Sequence, residues 1–195
     1  PREKFPELKR AVDILGPVKK EVAQELGLKP ETPVITGTPD LHSAAIGSGA
    51  VRDFHGHLYV GTSSWITCHV PFKKTDLVHN MAALPSALPN RYFIANEQET
   101  AGACLTFLKE NMMHHQERLS DAYKIFDEIA ANAPAGSNNL IFTPWLYGER
   151  TPVENDSVRA GLFNVSLNTT RAHVVRAIYE GVAYNSKWLL GYVEK

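Results

Sequence analysis

Residues 33–49 read PVITGTPDLHSAAIGSG, and the rest of the chain can be organised around them. Val34, Ile35 and Thr36 are apolar or β-branched and run into Gly37; a short polar turn, Asp40 and a small-residue helical pattern follow. That order spells strand, tight turn and helix, with the acid where the helix opens. Gly37 lets the backbone leave the strand sharply because no Cβ stands in the way. Pro39 presets a φ suited to the start of a turn or helix. Ala44, Ala45, Gly47, Ser48 and Gly49 strip the helix of bulk, so another group can pack or bind close to its backbone. Asp40 has two readings. As a helix N-cap it accepts amide hydrogens; as a carboxylate at a strand's carboxyl end it stands where open α/β sheets bind ligands.

With 195 residues the chain can bury one good core or two small ones. An apolar share of 44% and a charged share of 21% are those of an ordinary globular protein. The net charge of −1 gives no electrostatic reason to expect nucleic acid or an anionic membrane as partner. No apolar run approaches the roughly 18–20 residues of a bilayer span, and no secretory leader is recognisable. Cys68 and Cys104 make no disulfide framework, so a reducing cytoplasm is the expected setting. The chain opens on Pro1 and closes inside a helical pattern, and it therefore reads as an internal piece of a longer protein.

Apolar spacing predicts two short helices over residues 7–15 and 18–26, ended by Gly16 and Gly27. Residues 51–54 and 57–60 read as a hairpin around His55-Gly56, and residues 65–70 as a further strand. A domain boundary is placed near 49–51, with residues 1–50 on one side and 51–195 on the other. Residues 73–90 read as a loop, 91–96 as a strand, 99–113 and 119–132 as helices, and 140–143 as a buried strand. The charged loop 147–154 precedes the longest helix, 170–193. Val174, Val175, Ile178, Val182 and Ala183 should form its core face, and Gly181 a close contact. His55, His57 and His69 lack cysteine or carboxylate partners at ligand spacing, so they read as surface histidines and no metal site is expected. His114 and His115 near Glu117 read as a solvated helix end.

Three elements carry chemistry if they meet. They are Asp40, the turn Gly61-Thr62-Ser63-Ser64, and Gly102 in a helix's first turn. Backbone amides in a Gly-Thr-Ser turn make an anion-binding concavity, and a helix N-terminus adds another. A carboxylate facing phosphate-binding turns is the minimal layout for phosphoryl transfer. Gly102 has an equally good reading as a packing glycine. Walker A, GxGxxG, HExxH and GxSxG patterns are all missing from the sequence, which leaves serine-nucleophile, zinc-protease and dinucleotide chemistry without support.

Read in order, ILGPVKKEVAQELGL, TPVITGTPDLHSAAIGSGAV, YVGTSSWI, AGACLTFL, PWLYGERTPVENDSVRAGLF and HVVRAIYEGVA resemble the FGGY carbohydrate kinases, nearest the xylulokinase branch through the GERTP loop. Ser64, Ala160 and Asn164 stand where the family usually has glycine. The resemblance implies the ribonuclease-H-like (actin-like ATPase) α/β fold. Residues 1–50 would then be the end of the first, sugar-binding domain and residues 51–195 the start of the second, ATP-binding one. It implies ATP-dependent phosphorylation of a sugar hydroxyl, most readily D-xylulose, with Mg2+ accompanying ATP. Gluconate, ribulose or another polyol is the alternative substrate, and a non-catalytic sugar or nucleotide sensor the alternative function. Asp40 matches the family's catalytic base, Gly61, Thr62 and Ser63 its phosphate turn, Gly102 a nucleotide-contacting glycine, and Thr106 a nucleotide-contacting glutamine of some relatives. Glu149 and Arg150 of the GERTP loop are expected to pair structurally. Residues 1–195 alone are expected to lack kinase activity, and to be aggregation-prone, homodimeric through the exposed first strand, or ordered only with the remaining chain.

Overall fold

The computed structural model describes residues 2–112 and 120–195. Strand β1 (Ile14–Pro17) pairs antiparallel with β2 (Pro33–Ile35), Ile14 opposite Ile35 and Pro17 opposite Pro33. Helix α1 (Lys20–Glu25) lies between them in sequence, shorter than the expected 18–26. The helix expected over residues 7–15 does not form. The carbonyls of Ala11 and Asp13 instead accept from the Gly37 and Thr36 amides, so pairing alongside β2 overrides a helical spacing of apolar residues. Helix α2 (Asp40–Gly47) follows the turn, as its small residues suggest.

Next comes a four-stranded antiparallel sheet. Its strands β3 (His57–Val60), β4 (Ser64–Val70), β5 (Ala82–Pro85) and β6 (Tyr92–Ala95) lie in the order β3-β4-β6-β5. Its hairpin differs from expectation. Residues 51–54 form no strand, because Phe54 takes a φ of 64° that breaks extension, and only Asp53 makes an isolated bridge to His69. β3 pairs instead with β4, which puts Gly61-Thr62-Ser63 at the hairpin's tip. β5 lies inside the stretch expected to be loop. It ends in Pro85 on the sheet's edge, where a missing backbone N–H is tolerated.

Helix α3 (Gly102–Phe107) continues into a π-helical turn, Leu108–Met112. It starts later than residue 99 because Gln98 is bridged to Ser64 by backbone hydrogen bonds. His114, His115, Glu117 and the expected helix start at 119 lie outside the described residues. Helix α5 (Arg171–Val193) packs against β7 (Ile141–Thr143), which pairs with an unanticipated β8 (Gly161–Phe163), and helix α4 (Ala122–Asn132) packs against α5. Their core gathers Cys104, Leu108, Phe126, Leu140, Phe142, Val175 and Ile178. Ile141 is exposed, so the expected buried strand buries one face only.

On α5, Val175 and Ile178 are buried as expected, but Ala183 is exposed and Ala177 and Leu189 take core positions. A Cβ on Gly181 would fall on the Phe142 carbonyl, so the close contact expected there is real and sets how near α5 comes to β7. Thr170 caps α5, its hydroxyl accepting from the His173 amide while His173 Nδ1 accepts from the Thr170 amide. No helix among the described residues is long and apolar enough to cross a membrane.

Candidate active site

The β3–β4 turn is built around its own backbone. Gly61 N donates to Ser63 O at 2.8 Å, closing the tip. Gly61 O accepts from Gly102 N at 2.7 Å, and Thr62 O from Ala101 N at 2.8 Å and Ala103 N at 3.2 Å. The first turn of α3 therefore spends its amides on the hairpin tip. A Cβ on Gly102 would lie 2.5 Å from Gly61 O, so close packing by itself requires this glycine. Among the described residues, the Thr62 and Ser63 amides have no acceptor within the chain, which leaves two N–H donors for an anion.

Gly61, Thr62, Gly102 and Thr106 line one open cavity of about 360 Å³, together with Leu105, Tyr123, Asp127 and Tyr179. Ser63 belongs to the turn but not to this lining. The Thr106 hydroxyl lies 3.4 Å from Gly102 O and 3.2 Å from the Tyr123 hydroxyl. Tyr179 donates its hydroxyl to Asp127 Oδ1 at 2.5 Å, and burial, then that carboxylate, push its pKa well above the ordinary value. Tyr123, Asp127 and Tyr179 were not apparent as cavity residues from the sequence. An aromatic at helical spacing looks the same whether it faces a core or a cleft.

Asp40 is the first residue of α2, with Pro39 in the N-cap position. It is exposed, and its Oδ1 accepts from the neighbouring Leu41 amide at 2.8 Å, so it is a first-turn acid and not the cap. It is not among the residues lining the cavity at the turn. What joins α2 to the sheet is His42. Its ring stacks on Phe93 with centroids 4.3 Å apart and planes 28° apart, and its Nε2 lies 3.2 Å from Pro85 O.

Phe93 also meets the ring of His69 at 4.8 Å, and His69 Nδ1 lies 2.9 Å from the Ser86 hydroxyl. His69 is completely buried, which corrects its reading as a surface residue: β4 is covered on both faces at that point. His55 is exposed, while His57 is partly buried beside Thr67. Burial lowers the pKa of both His42 and His69; the Pro85 carbonyl opposes this at His42, and at His69 the neighbouring His42 adds to it while Asp53 opposes it. No group of three or more His, Cys, Asp or Glu among the described residues could hold a metal ion.

Behind the turn lies a buried polar lattice. Glu149 Oε1 accepts from the Glu99 amide at 3.0 Å and the Arg150 amide at 2.9 Å, while its Oε2 accepts from Asn185 Nδ2 at 2.6 Å. Arg150 pairs with Glu97 at 2.5 Å and with Glu99. Gln98 Nε2 donates to Asn185 O at 2.8 Å and its Oε1 accepts from the Ser64 hydroxyl at 3.1 Å. The GERTP residues thus pair structurally, tying the loop, the approach to α3 and α5 together beneath the turn. Glu180 plays a similar part: burial raises its pKa, but bonds from Arg176, Ser137 and the Gly136 amide outweigh that and hold it below the usual carboxylate range. Asn164 has a φ of 65°, a conformation that asparagine tolerates better than most residues, which accounts for it where glycine is usual.

Residues 57–195 match the FGGY family of carbohydrate kinases, C-terminal domain. Xylulose kinase of Staphylococcus epidermidis is 30% identical over 185 residues, 93% of this chain and 36% of that protein. Gluconokinase of Bacillus subtilis is 29% identical over 171 residues, 85% of this chain and 33% of that protein. The crystal structure of ligand-bound xylulose kinase from Lactobacillus acidophilus superposes with a TM-score of 0.87 at 26% identity, covering 99% of this chain and 38% of that one. The chain spans about a third of the length of the curated relatives it matches. The chain therefore belongs to the FGGY family of carbohydrate kinases, with their actin-like, ribonuclease-H-like α/β fold.

Proposed function

We propose that the protein transfers the γ-phosphoryl group of ATP to a hydroxyl of a small sugar, with D-xylulose as the first substrate to test. The observation that carries this is the meeting of Gly61, Thr62, Gly102 and Thr106 in one cavity, with free amides at the turn and hydroxyls beside it. Such a site suits phosphates, because oriented N–H groups act as fixed partial charges without side-chain entropy to lose. Residues 51–195 are assigned to ATP and residues 1–50 to the sugar side. The Thr62 and Ser63 amides, the Gly61 and Gly102 backbone and the Thr106 hydroxyl would hold the nucleotide. Mg2+ bound with ATP would neutralise charge on the phosphate oxygens, held chiefly by those oxygens and water.

Asp40 is assigned as the proton acceptor. A sugar hydroxyl is far too weak an acid for a carboxylate to ionise beforehand. In a loose transition state its proton becomes acidic only as the phosphoryl group arrives, so an ordinary exposed carboxylate suffices. The exposure of Asp40 at a helix start keeps it reachable. The names of the relatives favour a second substrate reading, gluconate or ribulose. A cytoplasmic setting suits both, as do the two buried free cysteines.

The test is a panel of D-xylulose, D-gluconate, D-ribulose and glycerol with the full-length protein, following ADP release from ATP. Fastest turnover of D-xylulose supports the proposal. Turnover of another member alone moves the substrate and keeps the reaction, and ADP release with none of them overturns the kinase reading.

A further inference from the structure

We infer that His42 is a positioning residue for Asp40: it sets the angle at which α2, and the carboxylate it carries, is held on the sheet that bears the phosphate turn. The inference rests on Asp40 being the proton acceptor. Within residues 1–195 the buried residues of α2 are His42 and Ala45, and alanine is too short to fix an orientation. At about 100° per residue, His42 lies on roughly the opposite side of the helix from Asp40. Docking the ring therefore leaves the carboxylate free, which matches the exposure of one and the burial of the other.

The docking is specific in two directions. Stacking on Phe93, itself fully buried in β6, fixes distance and tilt. The contact of Nε2 with Pro85 O, on the neighbouring β5, fixes rotation about the stacking axis. An aliphatic side chain would supply the first and not the second. With Nε2 donating to the carbonyl, Nδ1 is buried without a partner, so the site favours the neutral tautomer with its proton on Nε2 and discourages the imidazolium.

This contact is linked to the phosphate turn by the sheet itself. Phe93 pairs with His69 on β4, whose other end, Ser64, adjoins the turn. From Ser64 to His69 the strand runs roughly 17 Å. Over that arm a tilt of about 3° displaces one end by about 1 Å, enough to cost on the order of a hundredfold in rate when a base and a phosphoryl group must align. One loosened ring could thus degrade catalysis without touching either substrate.

The experiment is steady-state kinetics and nucleotide calorimetry on full-length wild type, His42→Ala, His42→Phe, His42→Gln and Asp40→Asn, with ATP and the sugar turned over fastest in the panel. His42→Ala should lower kcat about tenfold or more with the ATP Kd changed less than twofold. His42→Phe, which keeps the stack, should recover part of the loss, and His42→Gln, which keeps only a donor, less. A purely structural role would lower the melting temperature and leave kcat of the folded protein intact. A folded His42→Ala with kcat within twofold of wild type overturns the inference. Should that variant not fold, the Phe and Gln variants decide, and wild-type kcat in both overturns it. If Asp40→Asn keeps full turnover, it is the base assignment that has failed. If Asp40→Asn is inactive while the His42 variants turn over normally, only the positioning role falls.

Discussion

The two ends of the proposed reaction are held by very different means. Through Gly49, the buried residues among those described are Ala23, His42 and Ala45. The β1–β2 ladder leaves Ile14 66%, Val34 41% and Ile35 52% exposed. A two-stranded sheet with so little burial has marginal stability of its own. Beyond β3, by contrast, Phe93, Phe126 and Leu189 are fully buried and the turn rests on a lattice of buried hydrogen bonds. The turn Gly61-Thr62-Ser63 is braced by the hydrogen bonds around it. In the proposed reaction the acid would be placed by one ring that reaches across. Within residues 1–195 the turn's amides are braced by a densely packed region, whereas α2 meets the sheet through few side chains, chiefly His42.

The hardest challenge to that comparison is Asp40→Asn in the full-length protein. The side chain is exposed and bonded only to the adjacent amide, so folding and ATP affinity should hold while kcat falls by at least about a hundredfold. Near-normal turnover would show that the sparse region contributes no chemistry. Next in size is Thr62→Val, which keeps shape and removes a donor from the dense region. Losing one hydrogen bond to a charged phosphate should weaken ATP binding by about tenfold and leave the sugar KM unmoved. Unaltered nucleotide affinity by calorimetry would take the Thr62 hydroxyl out of the site and leave only its backbone amide, which the substitution keeps.

Two glycines sharpen the contrast in packing. Gly102→Ala drives a Cβ onto the Gly61 carbonyl, backbone against backbone, and should cost about 1–3 kcal/mol in thermal melts. Gly47→Ala on α2 meets open space and should be neutral or stabilising by up to about 1 kcal/mol. Equal effects at the two positions would contradict the difference in density.

The smallest expected effect is on stability against pH. His42 and His69 both have lowered pKa values in the folded protein, so the unfolded chain binds protons more readily. Their contribution is therefore fully present above the ordinary histidine value of about 6.5 and lost as pH falls below it towards the lowered folded values. A melting temperature that drops by a few degrees between pH 7.5 and 5.5, and drops less in His42→Phe, is the expected outcome. A profile identical in the variant would place the titration elsewhere.

Some of these features were legible locally. The strand before Gly37, α2, the strand after the turn, α4's described part and α5 all follow from apolar period and from Gly and Pro placement, signals that act over a turn or two. What failed did so for a non-local reason. Residues 7–15 carry a helical pattern yet line up beside β2, and residues 51–54 look extended yet lose that role to Ser64–Val70 as partner of β3. His69 looked like a surface residue because alternation on a strand does not tell which faces are covered.

The ordered motifs by themselves were enough for the family, for the turn Gly61-Thr62-Ser63 and for Asp40 at a helix start, since each depends on residues adjacent in the chain. Tertiary structure alone decided that Gly102 must be glycine because Gly61's carbonyl lies against it, that Tyr123, Asp127 and Tyr179 share the cavity, and that His42 docks α2 on Phe93. These are contacts between segments far apart in sequence. Their energies depend on which surfaces fold against each other, and no local spacing encodes that.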